Sequence, residues 1–93
     1  MKTEDFYKRQ ARIHKALANE SRLKIIEKLH EREFNVGELT AIVGLDQSTV
    51  SKHLSVLISA GIADNRKEGN VVYYRLITTC IIDMFACVDK IIS

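Results

Sequence analysis

Residues 46 to 61 carry two helical stripes side by side, and few folds have a use for both. Val50, Leu54, Leu57 and Ile58 recur at i, i+4, i+7 and i+8, the spacing of one buried face. Ser48, Ser51, Lys52, Ser55 and Ser59 form a second stripe of small hydroxyls and a single Lys. A face that is merely solvated favours long charged side chains, because Glu, Lys and Arg are better helix formers than Ser or Thr. A helix that accepts poor formers in return for small donors and acceptors points to close approach to a polar surface. The major groove of duplex DNA is such a surface.

The flanking residues fit that reading. Val36 to Val43 has the pattern of a short helix, with Asn35 at its N-cap and Glu38 three residues on, a capping-box arrangement. Gly44 is placed to end that helix in a left-handed conformation, and Asp46 to cap the next one. Two helices joined by a three-residue turn containing Gly form the helix-turn-helix layout, with the second helix as reader. After Gly61, Ile62 to Lys67 and Val71 to Leu76 read as strands joined by Glu68-Gly69-Asn70. Arg66, Lys67 and Arg75 make this hairpin basic, suited to the phosphates beside a groove.

Three blocks resemble the ArsR/SmtB winged-helix repressors: Ala16 to Ile26, Ser48 to Gly61 and Arg66 to Tyr74. The resemblance runs from about Ile13 to Ile77. It implies a winged helix-turn-helix, mainly α with a small β-hairpin: four helices, two strands, then a fifth helix. It also implies a homodimer joined through the terminal helices, which binds a palindromic operator as a repressor and releases it when an effector arrives. Metal-sensing members of that family carry Cys-x-Cys in the helix before the reader; here Asn35 and Gly37 stand at those positions. Other members hold zinc on the last helix with His and carboxylates, and this last helix contains no His. No metal site and no cofactor are expected.

Composition limits the alternatives. A chain of 93 residues, 46% hydrophobic, reads as one domain over residues 1–93 with apolar surface to spare for an oligomer interface. It has no apolar run long enough for a bilayer and no signal-peptide order at its start, so a cytoplasmic setting with reduced Cys80 and Cys87 is expected. The net charge of +2 is modest, but residues 1 to 32 hold nine basic side chains against five acidic ones. That excess is either a solvated surface with i, i+4 pairs such as Glu20 with Lys24, or, at Arg9, Arg12 and Arg22, a phosphate-facing one.

Candidate DNA contacts are Gln47, Ser48, Thr49, Ser51, Lys52, His53 and Ser55 on the reader helix, and Arg66, Lys67 and Asn70 on the wing. Gln47 suits an adenine edge and Lys52 a phosphate. The Thr49 methyl either points outward to meet a thymine methyl or, beside Val50, turns inward. His53 touches a phosphate or packs at the groove edge. Of Tyr73 and Tyr74, on opposite faces of one strand, one is core and one exposed.

The terminal helices read as dimer elements. Phe6, Gln10, Ile13 and Leu17 line one face of the first helix. The last, about Thr79 to Ile92, has two apolar stripes: Cys80, Met84, Cys87 and Ile91, and Ile81, Phe85, Val88 and Ile92. Cys80 and Cys87 stand roughly 10 Å apart at 1.5 Å per residue, too far for a disulfide within one helix. Antiparallel copies across a two-fold axis near Met84 bring Cys80 of one level with Cys87 of the other. The pair is either a sensor for an oxidant, reactive sulfur or a thiophilic arsenical, or simply two small hydrophobes in a dimer core. The serines have no base or oxyanion arrangement near them and no phosphate-cradling Gly loop is present, so an enzyme is not expected. Two alternatives stay open: a DNA-binding regulator without an effector, and a winged helix that binds protein.

Overall fold

A computed structural model describes residues 2–93. Five helices, α1 (Glu4–Leu17), α2 (Glu20–Glu31), α3 (Val36–Val43), α4 (Gln47–Ser59) and α5 (Ile81–Ile92), enclose a three-stranded sheet of β1 (Phe34–Asn35), β2 (Ala63–Glu68) and β3 (Val71–Leu76).

Local chemistry sets most of the boundaries. Thr3 and Asn19 cap α1 and α2, their side chains accepting from the backbone N–H of Phe6 at 3.2 Å and of Arg22 at 3.0 Å. Asn35 and Glu38 form the capping box of α3: Asn35 accepts from Glu38 N–H at 2.8 Å, and Glu38 accepts from Asn35 N–H at 2.9 Å. Gly44 ends α3 at φ 73°, where a Cβ would be strained. Leu45 and Asp46 complete the turn into α4. This is the helix-turn-helix that the sequence predicts.

The core lies where α2, α3, α4 and β3 meet. Ile25, Ile26, Leu39, Val50, Leu54, Leu57 and Ile62 have essentially no solvent access. Each contributes about 1.5–3 kcal/mol of burial free energy. Val50, Leu54 and Leu57 of the predicted apolar stripe are fully buried, and Ile58 packs against the cluster from its edge. Of α1, only Ala16 and Leu17 in its last turn are buried, with Ile13 half-buried and Gln10 exposed.

The structure corrects the sequence reading in four places. A third strand, β1, pairs antiparallel with β3, Phe34 opposite Tyr74 and Asn35 opposite Tyr73, giving the sheet order β1-β3-β2. Two residues give no periodic signal, and their pairing is settled by contact with a distant strand. The hairpin turn has two residues, Gly69 and Asn70; Glu68 belongs to β2 opposite Val71, and Ile62 precedes the strand as a core residue. Gly69 at φ 63° takes the first corner of this tight turn. The last helix begins at Ile81 instead of Thr79, with Cys80 at its N-cap and no side-chain cap bond. The expectation of one core and one exposed wing tyrosine is also corrected: both are half-buried, Tyr74 against the core and Tyr73 beneath Arg66, whose guanidinium covers its ring.

Candidate nucleic-acid interface

The first turn of α4 is organised by one carboxylate. Asp46 Oδ1 accepts from Thr49 N–H at 2.8 Å and from Ser48 Oγ at 2.9 Å, while Oδ2 accepts from Thr49 Oγ1 at 2.9 Å. These bonds, the backbone N–H first, hold the Asp46 carboxyl below the usual carboxylate range and keep it charged. They also change what the hydroxyls offer. Ser48 and Thr49 spend their hydrogens on Asp46, so outward they present lone pairs. In the major groove those lone pairs suit the exocyclic amino groups of adenine and cytosine. Gln47, Ser48 and Lys52 are exposed; Thr49 and Ser51 are half-buried.

His53 turns away from this exposed edge. Its Nδ1 lies 3.1 Å from Arg22 Nη1. A guanidinium only donates, so Nδ1 accepts and the ring carries its hydrogen on Nε2. Partial burial, and then the Arg22 charge, push the His53 pKa down and keep the ring neutral. Arg22 also donates through Nε to Ala16 O at 2.6 Å and through Nη2 to Lys15 O at 3.2 Å. Its guanidinium thus closes the C-terminal end of α1 and ties it to α4. The two sequence options for Arg22, solvated surface or phosphate contact, both give way to this clamp. His53 and Arg22 are 31 positions apart, so no local signal pairs them.

The wing is less basic than its sequence. Arg66 donates through Nε to Glu33 at 2.6 Å and through Nη1 to Glu68 at 2.8 Å, and its guanidinium carbon stands 4.9 Å from the centre of the Tyr73 ring. These carboxylates, Glu68 first, raise the already high Arg66 pKa. Arg75 pairs with Asp64 at 3.2 Å. Lys67 has no carboxylate partner among the described residues, and Asn70 is exposed at the hairpin tip. Glu33, just before β1, is the partner that sequence reasoning missed.

The serine stripe divides. Ser48 and Lys52 sit at the exposed N-terminal part of α4, whereas Ser55 and Ser59 line a groove of about 430 Å³ with Arg12, Lys15 and Arg22. Cys80 and Cys87 are both free and exposed on the single chain, outside its core. Among the described residues no helix is long and apolar enough to cross a membrane.

The sequence profile described as "Bacterial regulatory protein, arsR family" matches residues 19–65. The chain is 37% identical, over its full length and 82% of the relative, to the uncharacterized HTH-type transcriptional regulator Rv0081 of Mycobacterium tuberculosis. It is 45% identical over 65 residues to the transcriptional activator HlyU of Vibrio cholerae, spanning 60% of that protein. The crystal structure of M. tuberculosis Rv0081 superposes with a TM-score of 0.85 over 97% of this chain and 91% of that one, at 37% identity. The transcriptional repressor BigR of Xylella fastidiosa gives 0.79 at 33% identity, covering 100% and 98% of the two chains. The homodimeric winged helix-turn-helix DNA-binding domain of Mb0332 from Mycobacterium bovis gives 0.82 at 31% identity, covering 97% and 86%.

Proposed function

This chain belongs to the arsR family of bacterial regulatory proteins, a DNA-binding transcriptional regulator and not an enzyme, and on that footing we propose that it works as a homodimeric repressor on a palindromic operator. Each protomer inserts the first turns of α4 into a major groove. A two-fold axis sets the two half-sites about one helical turn, roughly 34 Å, apart. Gln47, Ser48, Thr49 and Ser51 read base edges, and Lys52, Lys67 and Asn70 hold phosphates. Arg66 joins them by exchanging its carboxylates for a phosphate. His53 braces the reader helix from behind through Arg22, and Ser55 faces the groove beside α1 instead of the base-reading edge. The observation that carries this reading is the division of α4: one face is wholly committed to the core, while Gln47, Ser48 and Lys52 at its start are exposed.

Dimerisation through α1 and α5 has support in a largely apolar groove of about 350 Å³ between them, lined in part by Leu17, Leu23, Met84, Phe85, Val88 and Ile92. Repression by blocking polymerase follows the family resemblance and the repressor BigR, while HlyU is described as an activator.

For the effector we propose a thiol-reactive or thiophilic species acting at Cys80 and Cys87, which the place of both thiols outside the protomer's core supports. With α5 helices antiparallel, peroxide takes two electrons and two protons from Cys80 and the partner's Cys87, leaving one disulfide and two waters. A Cys80→Ser, Cys87→Ser double variant should stay on the operator under oxidant, polysulfide or arsenite while the parent lets go; equal release by both removes the cysteines from the mechanism. For DNA, fluorescence anisotropy on the chain's own promoter region should give binding that falls steeply with salt. Lys52→Ala should lower that salt slope by about one. Indifference to duplex DNA at low ionic strength would refute the interface.

A further inference from the structure

The groove between α1 and the C-terminal half of α4 has an electrostatic character that the DNA interface does not use. Arg12, Lys15 and Arg22 line one side, Ser55 and Ser59 the other, and Ala16, Val56 and Ala60 complete its lining. No acidic side chain lines it. Arg12, Lys15 and Arg22 hold no carboxylate within 4.0 Å among the described residues; Lys8, Lys52, Lys67 and Lys90 share that condition, but only the first three line one concavity. Arg22 commits its nitrogens to Ala16 O, Lys15 O and His53, so Arg12 and Lys15 are the two open cations that focus positive potential in the concavity. Arg22 has already satisfied the carbonyls of Lys15 and Ala16, so the exposed end of α1 does not cancel that potential. A volume of about 430 Å³ lies in the range of small-ligand sites, and Val56 and Ala60 offer an apolar contact beside the charges.

We propose that this groove binds a small organic oxyanion, a carboxylate or phosphate monoester on an apolar body, and that the bound anion couples α1 to the reader helix. The oxyanion sits between Arg12 and Lys15 with the Ser55 and Ser59 hydroxyls donating to it, and the apolar body rests on Val56 and Ala60. α1 is buried in the core only at Ala16 and Leu17, with Ile13 packed at its edge, and meets α4 through the Arg22 clamp, so a ligand that touches both helices favours one of their relative arrangements over others. The coupling to DNA rests on the regulatory reading above; the binding itself does not.

The test begins with the DNA-free protein. Salicylate and phenyl phosphate are titrated separately against sodium chloride at matched ionic strength, with amide chemical shifts as readout. Expected are saturable shifts confined to Arg12, Lys15, Ala16, Ser55, Val56, Ser59 and Ala60, with the two probes telling whether carboxylate or phosphate is preferred. An Arg12→Gln, Lys15→Gln variant should bind at least tenfold more weakly with its remaining spectrum intact. Ser59→Glu, which sets a carboxylate on the opposite wall, should do the same. On the promoter DNA, saturating probe should change the parent's affinity at least fivefold and leave that of the glutamine variant unchanged. Shifts that do not saturate, or that chloride reproduces, overturn the site. Saturable binding with no change in operator affinity overturns the coupling. A salt slope lowered by about two in the glutamine variant, without probe binding by the parent, makes the groove a DNA phosphate contact and overturns the proposal. A parent that binds the probe and ignores DNA leaves the site standing and removes the operator reading instead.

Discussion

Helices α4 and α5 are close in length and both carry apolar stripes, yet they end in opposite conditions. In α4, Val50, Leu54 and Leu57 are at most 1% exposed, and the N-terminus is closed by Asp46. In α5, only Ile81 is buried; Ile91 is 81% exposed and Ile92 76%, and Cys80 at its N-cap makes no capping bond. One helix is completed by its own chain. The other carries more apolar surface than a chain of this size covers, and an apolar helix of that kind needs a second surface. The reader helix is therefore completed within the protomer, while the terminal helix leaves apolar surface open for the second subunit that we propose.

The contrast can be broken most forcefully from the α4 side. Leu54→Ala should cost about 2–5 kcal/mol of unfolding free energy, read by chemical denaturation, because no neighbour can collapse onto the vacated volume without disturbing Val50, Leu57 or Leu39. A loss below 1 kcal/mol would mean that the core is not centred on α4. Next comes Ile91→Asp. It should leave the protomer folded but raise the dimer dissociation constant by at least tenfold, about 1.4 kcal/mol, in sedimentation. An unchanged self-association constant would take α5 out of the interface. Asp46→Ala should lower the denaturation midpoint and release the Ser48 and Thr49 hydroxyls, with altered base preference where those residues read DNA. A variant as stable as the parent would deny the cap its role.

The smallest effect expected is one of pH. His53 has its pKa lowered from the ordinary 6.5 by partial burial first and by Arg22 second. Just below pH 6.5 the unfolded chain therefore takes up a proton that the folded chain refuses. The contribution of His53 to stability is fully present above that pH and is lost as pH falls through the folded-state value. Denaturation midpoints from pH 7.5 to 5.5 should fall less for His53→Gln than for the parent. Parallel profiles would show that the protonation of His53 does not bear on stability.

What the sequence reveals and what it conceals divide along a physical line. Asn35 with Glu38, Gly44, Asp46 and the Val50, Leu54, Leu57 stripe act within a turn or two of chain. Each can be read from its neighbours, and together they determine the helix-turn-helix and its reader. Membership of the family was legible in Ala16 to Ile26, Ser48 to Gly61 and Arg66 to Tyr74; the profile's residues 19–65 take in most of the first block, all of the second and none of the third. The candidate interface was legible only as a set of exposed polar residues, and its working state was not. Arg66 reads as a free wing cation until Glu33 arrives from 33 positions away. His53 reads as a groove residue until Arg22 takes its ring nitrogen, and the serine stripe reads as one surface until α1 makes a groove with its second half. The two-residue strand Phe34–Asn35 exists because Tyr73 and Tyr74 pair with it. Periodicity and caps are local, so the sequence carries them. Which charges are neutralised and which hydroxyls face solvent depends on which distant segments the closing core brings together, and only the tertiary structure decides that.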